Sequence, residues 1–164
     1  MRVTSNADTV IIHLQRYRDD VPQKLQTLLD KLSYLGAYRA RVDFSSAMYA
    51  GTNDVEITVE PKDNGFEILA SGYSVLFIEF GTGIKNPEHP LSAEFGYIHG
   101  TYGQGKGANE HGWVYYGEQG NAGQPIREGV YRTLGNPPAR AMYNAGKEMR
   151  ERIEEIAKEV FGND

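Results

Sequence analysis

The stretch with the most recognisable chemistry is residues 100–106 (GTYGQGK), where two glycines and a lysine have the spacing of a phosphate-binding loop. Such loops surround a phosphate with backbone amides and the lysine, while the hydroxyl of the next residue holds Mg²⁺. Here Gly107 stands in place of the hydroxyl, no strand is predicted to lead into the stretch, and no helix is predicted to follow it. The run 75–79 ends in an acid, as a magnesium-holding strand does, but it precedes the loop. The sequence therefore disfavours nucleotide hydrolysis.

Histidine, serine and cysteine chemistry is also disfavoured. His89, His99 and His111 are ten and twelve residues apart, and none is paired with a glutamate at the spacing of helix-borne zinc sites. We expect these side chains to face solvent or a partner. No Gly-x-Ser-x-Gly segment occurs, and the chain has no cysteine. We therefore expect no enzymatic activity, no catalytic residue, no cofactor and no metal.

The composition is that of a folded, acidic protein. The chain has 164 residues, of which 40% are hydrophobic, and a net charge of -5. Basic residues are not clustered in any part of the chain, which disfavours nucleic acid as the main partner because duplex binding requires grouped Lys and Arg. The longest apolar run, residues 75–78, is too short to cross a bilayer, and no signal peptide is evident. We expect a single soluble domain over 1–164, made in the cytosol.

Helical periodicity is present near both ends of the chain. Asp20, Pro22 and Gln23 form a start signal for a helix over about 21–38, in which leucines recur every three or four residues. A second helix is predicted over about 138–161, starting after Asn136. Its narrow apolar face consists of Met142, Ala145, Met149, Ile153, Ile156 and Val160.

Alternating apolar and polar residues between the helices predict an antiparallel hairpin. Its strands cover about 55–60 and 66–71, with Pro61 ending the first strand and turn residues following at 63–65. The next run, Val75–Phe80, fits either a buried third strand or a short apolar helix.

The middle of the chain is unusually rich in glycine and aromatic residues. Thirteen of the 19 glycines lie between Gly81 and Gly135, and we predict a long loop over 84–136 with one hairpin formed by residues 112–116 and 129–134. Residues 84–111 contain little that would bury, so we expect them either to be disordered or to be ordered by a partner. Aromatic residues on such a backbone are typical of a protein-contacting surface, and a small core beneath the loop is the alternative.

Two segments, FIEFGTG at 77–83 and TLGNPPARAM at 133–142, together resemble the tail-completion (neck, or head-to-tail joining) proteins of long-tailed bacteriophages and prophages. The element order is also similar: an amphipathic helix, short strands, the glycine-containing segment, a long loop with a tryptophan, and a Pro-Ala-Arg turn before a charged helix. The resemblance covers about residues 21–161. Many members have phenylalanine where this chain has Ala141.

The resemblance implies an α+β fold, with a small, mainly antiparallel sheet packed by the two helices. It also implies a structural protein of the virion tail or neck, assembled in the host cytoplasm as a ring of its own copies. The partners would be the tail tube or tail terminator and the head connector, with DNA only as passing cargo and no membrane. Residues expected to contact subunits or partners are Phe80, Gly81, Thr82, Gly83, Tyr97, Tyr102, Trp113, Tyr115, Tyr116, Arg140 and Met142.

Two other function classes stay open. A small nucleotide- or metal-dependent hydrolase could use Lys106 and the loop histidines, and Mg-ATP or zinc would then raise its melting temperature. A host-directed adaptor or regulator could act through the same loop. A fixed copy number in virus particles would distinguish a structural protein from such a module.

Overall fold

The computed structural model describes residues 6–47, 53–83, 88–97, 111–119 and 123–162. Two long helices pack together with two small antiparallel sheets, so the predicted α+β class is confirmed. That the chain forms one domain over 1–164 stays a prediction. In chain order the elements are α1 (Ala7–Ser46), β1 (Glu56–Lys62), β2 (Gly65–Ser71), α2 (Val75–Phe80), β3 (Trp113–Tyr116), β4 (Gln124–Arg127), β5 (Val130–Thr133) and α3 (Ala141–Phe161).

The packing of α1 against α3 forms most of the core. The helices run antiparallel, because Lys31 forms an ion pair with Glu159 while Asp43 accepts a hydrogen bond from Asn144. Small residues let the two backbones approach: a Cβ on Gly36 would lie 2.5 Å from the sulfur of Met149. The core residues are Ala37, Ala40, Phe44, Ile57, Ile78, Ala141 and Ala145.

α1 is much longer than the predicted helix of residues 21–38. Pro22 lies inside it, and Asp20 is an exposed helical residue rather than a cap. Proline removes one backbone hydrogen bond, but apolar residues at helical spacing continue on its N-terminal side, so the helix runs on through it. The predicted start was therefore wrong.

α3 has the predicted C-terminal boundary but begins at Ala141 rather than at 138. The delay arises because the backbone N–H groups of Ala139 and Arg140 donate to carbonyls of α2, and Arg140 has a left-handed conformation with φ 60°. The predicted apolar face packs inward, with Ile153 as the exception at 47% exposure.

The first hairpin has the predicted antiparallel pairing, with Lys62 opposite Gly65 across a two-residue connection. Pro61 was expected to end β1 but lies within it, opposite Phe66. A two-stranded sheet leaves one edge of each strand unpaired, so the absent N–H of a proline is tolerated there. The guanidinium of Arg41 donates to the carbonyl of Ile57, which fixes the hairpin to α1.

The glycine-rich region contains a second sheet, with strand order β3-β5-β4. The predicted pairing of residues 112–116 with 129–134 is confirmed, since Trp113 lies opposite Thr133 and Tyr116 opposite Val130. β4 was not predicted, and it adds a short strand containing Pro125 to the other edge of β5. The ambiguous run before this region is a helix, α2.

The start of α2 is fixed by Asp54, whose carboxylate accepts the backbone N–H groups of Tyr73 at 2.7 Å and Ser74 at 2.9 Å. The Ser74 hydroxyl and these two N–H groups stabilise the charged carboxylate and lower the pKa of Asp54 below its ordinary value of 3.8. A lowered folded-state pKa gives stability that is present above the unfolded value and is lost as pH falls through the folded value.

We therefore expect Asp54→Asn to lower the stability of the protein at pH 7, with a difference from the parent that shrinks as pH falls below 3.8. Denaturant titrations between pH 7 and pH 2 measure this. Asp19→Asn, which alters an exposed ion pair with Arg18, is the control and should change stability little at any pH. A difference that stays constant across the pH range would contradict the expectation.

Candidate functional site

The two segments that carry the family resemblance lie against each other. We call this contact the junction, formed by residues 78–83 and 134–143. Backbone groups join the segments: Ala139 N–H donates to the Ile78 carbonyl at 2.8 Å, and Thr82 N–H donates to the Asn136 carbonyl at 2.9 Å. The Thr82 hydroxyl accepts the N–H of Asn136 in return. Main-chain hydrogen bonds therefore join the two segments directly, and side-chain acceptors add to them.

Gly81 is required where the segments touch. It has φ 77°, and a Cβ there would lie 2.5 Å from the Asn136 carbonyl oxygen and 2.7 Å from the Pro138 nitrogen. Both the left-handed conformation and the backbone on the other side exclude a larger residue. Glycine at this position thus lets α2 end directly against the start of α3.

The carboxylate of Glu79 lies at the centre of the junction. The residue is 5% exposed, and its two oxygens accept the backbone N–H groups of Met142 at 2.8 Å and Tyr143 at 3.0 Å. These groups belong to the first turn of α3, which has no side-chain cap of its own. A carboxylate at a helix N-terminus satisfies donors that lack helical partners and interacts favourably with the helix dipole. Glu79 from α2 therefore acts as the cap of α3.

His89 completes the hydrogen bonds of this carboxylate. Its Nε2 lies 3.2 Å from Glu79 Oε1, and its Nδ1 accepts the backbone N–H of Leu91 at 3.0 Å. Because Nδ1 is an acceptor, the proton of the neutral ring lies on Nε2 and is donated to Glu79. Both nitrogens are occupied and the side chain is fully buried, so the pair has no nitrogen available to act as a general base.

The segment 88–97 adds an aromatic cluster to the junction. The ring of Phe80 lies 4.4 Å from that of His89, 5.8 Å from that of Phe95 and 4.3 Å from that of Tyr97, measured between ring centroids. His89 is 3% exposed and Ser92 is 5% exposed. The expectations that His89 faces solvent or a partner, and that this part of the loop has little to bury, were therefore wrong: Phe80 provides an apolar surface that covers it.

A groove of about 590 Å³ opens beside the junction, between β2, α2, α3 and residues 88–97. We call it the α2 groove. Its walls are mainly apolar, with Leu76 and Phe95 partly exposed to solvent, and the charged residues Glu94 and Arg150 also line it. An apolar concavity of this size is typical of a binding site.

The structure brings together most of the residues predicted to contact partners, but it buries several of them. Phe80, Gly81 and Gly83 are buried in the junction and Thr82 is half-buried, while Met142 is held there through its backbone. Their contact with a partner stays a prediction. Arg140 is also half-buried: its guanidinium donates to the carbonyl of Glu88, and its Nε is buried without a hydrogen-bond partner among the described residues.

The remaining predicted residues lie further from the junction or outside the described part of the chain. Trp113 borders the junction, because a Cβ on Gly83 would lie 3.0 Å from its ring. Tyr115 stacks on Tyr131 with centroids 5.5 Å apart, and Tyr116 is 75% exposed on β3. Tyr102 lies outside the described residues.

Sequence reasoning missed the roles of His89 and of Glu79 as a cap. A signal for Glu79 was available, because it is the only charged residue in the apolar run Val75–Phe80. The interpretation of this run as a magnesium-holding strand does not hold, since it is a helix whose acid caps another helix. Nothing in the sequence links His89 to Glu79.

The residues that suggested catalysis are only partly described. The phosphate-loop-like stretch 100–106 and His99 lie outside the described residues, and His111 is exposed. Within the described ranges, no three His, Asp or Glu side chains are grouped so that they could hold a metal ion. None of the helices in those ranges has the length and apolar character needed to span a membrane.

Comparison of the chain with protein-family models, with curated proteins and with solved structures found no match in any of the three.

We expect Glu79→Gln to reduce the free energy of unfolding by about 2–3 kcal/mol, because the amide replaces one acceptor of the capping carboxylate by a donor. Denaturant titration measures the loss. Glu155→Gln, on the exposed side of α3, is the matched control and should cost less than about 1 kcal/mol. Equal stability of the two variants would show that Glu79 does not stabilise the start of α3.

We also expect Gly81→Ala to destabilise the protein more than Gly129→Ala. Both glycines have positive φ, of 77° and 68°, but a Cβ on Gly129 has no atom within 4 Å. The left-handed conformation alone costs about 1–2 kcal/mol, and steric overlap at Gly81 adds about 1–3 kcal/mol. Thermal unfolding of the two variants measures the stability lost by each, and the difference between them gives the cost of steric overlap at Gly81. Equal losses would mean that the backbones of the junction are not in close contact.

Proposed function

We propose that this chain is a phage structural protein that completes the tail and joins it to the head connector, acting as a ring of its own copies. The observation that carries the proposal is that the two segments resembling tail-completion proteins form one junction around Glu79. Segments that are 50 residues apart in sequence thus belong to one structural unit. This supports treating them as a single family feature rather than as two short coincidences.

The distribution of polar and apolar groups also supports an assembly role. The buried Glu79 and His89 use their polar atoms for internal hydrogen bonds and leave none for a substrate. Apolar side chains, in contrast, are exposed on several elements. Those on the N-terminal part of α1 are Val10, Ile11, Ile12, Leu14 and Tyr17. Surfaces of this kind are typical of proteins that bind other proteins.

The test is electron microscopy of a lysate from a phage, or an induced prophage, in which this gene carries a null mutation. We expect filled heads and finished-looking tails that are not joined, because the tail lacks its completing ring. Supplying the intact gene in trans is the control and should restore joined particles.

Normal, joined particles from the null mutant would contradict the proposal. Quantitative mass spectrometry of purified particles provides an independent measure, since a structural protein is present at a fixed number of copies. A host-directed adaptor or regulator would be absent from particles or present in variable amounts.

A further inference from the structure

The N-terminal part of α1 extends beyond the rest of the fold. The last turns of α3 lie beside the middle of α1, where Lys31 pairs with Glu159 and where Val160 lines a shallow cleft with residues 20–27. Residues 7–19 precede this contact and form what we call the projecting segment. At 1.5 Å per residue it is about 20 Å long.

The projecting segment is apolar on a face that no described residue buries. Val10 is 52% exposed, Leu14 63% and Tyr17 48%, and their spacing of four and three residues places them on one side of the helix. With His13 and Arg16 they line a concavity of about 480 Å³. A helix this short is marginal in water without tertiary contacts, so burial of this face by a partner would stabilise it.

The α2 groove has the features that such a helix face requires. Its walls are mainly apolar, and its volume of about 590 Å³ can receive large side chains. Glu94 and Arg150 line it, and neither forms an ion pair with a described residue. The projecting segment and the turn that follows it carry Arg16 and Asp20, which offer the opposite charges.

A chain cannot place its own projecting segment in its own groove. The groove includes Met142 and Gly146 of α3, and the neighbouring Met149 lies against Gly36 of α1. Leu14 is 22 positions before Gly36 in the same helix, a distance of about 33 Å along its axis. A projecting segment that fills the groove must therefore come from another copy.

We propose that the projecting segment of one copy docks in the α2 groove of the next, with Val10, Leu14 and Tyr17 as anchors. Because the two surfaces differ, the contact is head-to-tail, and it closes into a ring if the rotation between copies allows. The inference rests on the proposed function for its place in the virion, and it names the surfaces that join neighbouring copies.

The absence of cysteine from the chain allows a direct test by disulfide trapping. The full-length Leu14→Cys and Leu76→Cys variants are mixed and oxidised, and the disulfide-linked heterodimer is quantified by non-reducing electrophoresis and mass spectrometry. Tyr34→Cys, also on α1 and 70% exposed but outside the projecting segment, replaces Leu14→Cys in the control. All three positions are exposed, and circular dichroism verifies that each variant folds.

We expect the heterodimer of Leu14→Cys with Leu76→Cys to form at least about tenfold faster than the control, because docking raises the effective concentration of the two thiols. A rate equal to that of the control would overturn the proposal. Leu14→Cys homodimers forming in place of the heterodimer would also overturn it, since they would indicate pairing of two projecting segments.

The result of the trapping experiment can be distinguished from the result of the test of the proposed function. Trapping measures association of the purified chain, whereas the lysate experiment measures joining of heads and tails. If the heterodimer is trapped but the null mutant yields normal particles, the contact between copies is supported and the role in the virion is contradicted. If the null mutant yields unjoined heads and tails but no heterodimer is trapped, the role in the virion is supported and this contact between copies is contradicted.

Discussion

The arrangement depends on two hydrogen bonds from the first turn of α3 to the buried carboxylate of Glu79. They fix the residue at which α3 begins and the side of α2 on which it lies. From that start, α3 runs back along α1, so that Ala145 and Met149 meet the small residues of α1. His89 occupies the remaining side of the carboxylate and brings residues 88–97 over Phe80. Through Glu79, three walls of the α2 groove are held together, namely α2, α3 and residues 88–97.

The periodic elements of the fold were predictable because their determinants are local. The apolar face of α3 and the alternation in the first hairpin are visible within a few turns or residues of sequence, and the structure confirms both. The pairing of β3 with β5 was also found from aromatic and β-branched residues. The length of α1 was not predicted. Pro22 suggests the start of a helix when only its neighbours in sequence are considered, but a long helix tolerates the loss of the one hydrogen bond that a proline removes.

The candidate site was predictable only in part, because its key contacts join residues that are distant in sequence. Glu79 lies 63 positions from Met142 and 10 from His89. No spacing rule links such residues, and the resemblance connected the two junction segments only as motifs of one family, not as segments in contact. Burial was harder to predict: Phe80 and Gly81 were expected to contact subunits or partners, yet both are buried within the chain. Several exposed apolar residues, such as Leu14, belong to a part of α1 for which no helix was predicted.

The antiparallel contact of α1 with α3 also imposes an order on synthesis. The ribosome completes Ser46 before any part of Ala141–Phe161 exists, so α1 must wait for its main partner while about a hundred residues are added. At about 5–20 residues per second that interval is about 5–20 s, far longer than a helix needs to form. During it Ala37 and Phe44 lack the α3 side of their core, Ala141 and Ala145, and have Ile57 and Ile78 as the buried core residues synthesised between α1 and α3. Nascent-chain aggregation and chaperone binding should therefore concentrate in α1 and end when α3 emerges.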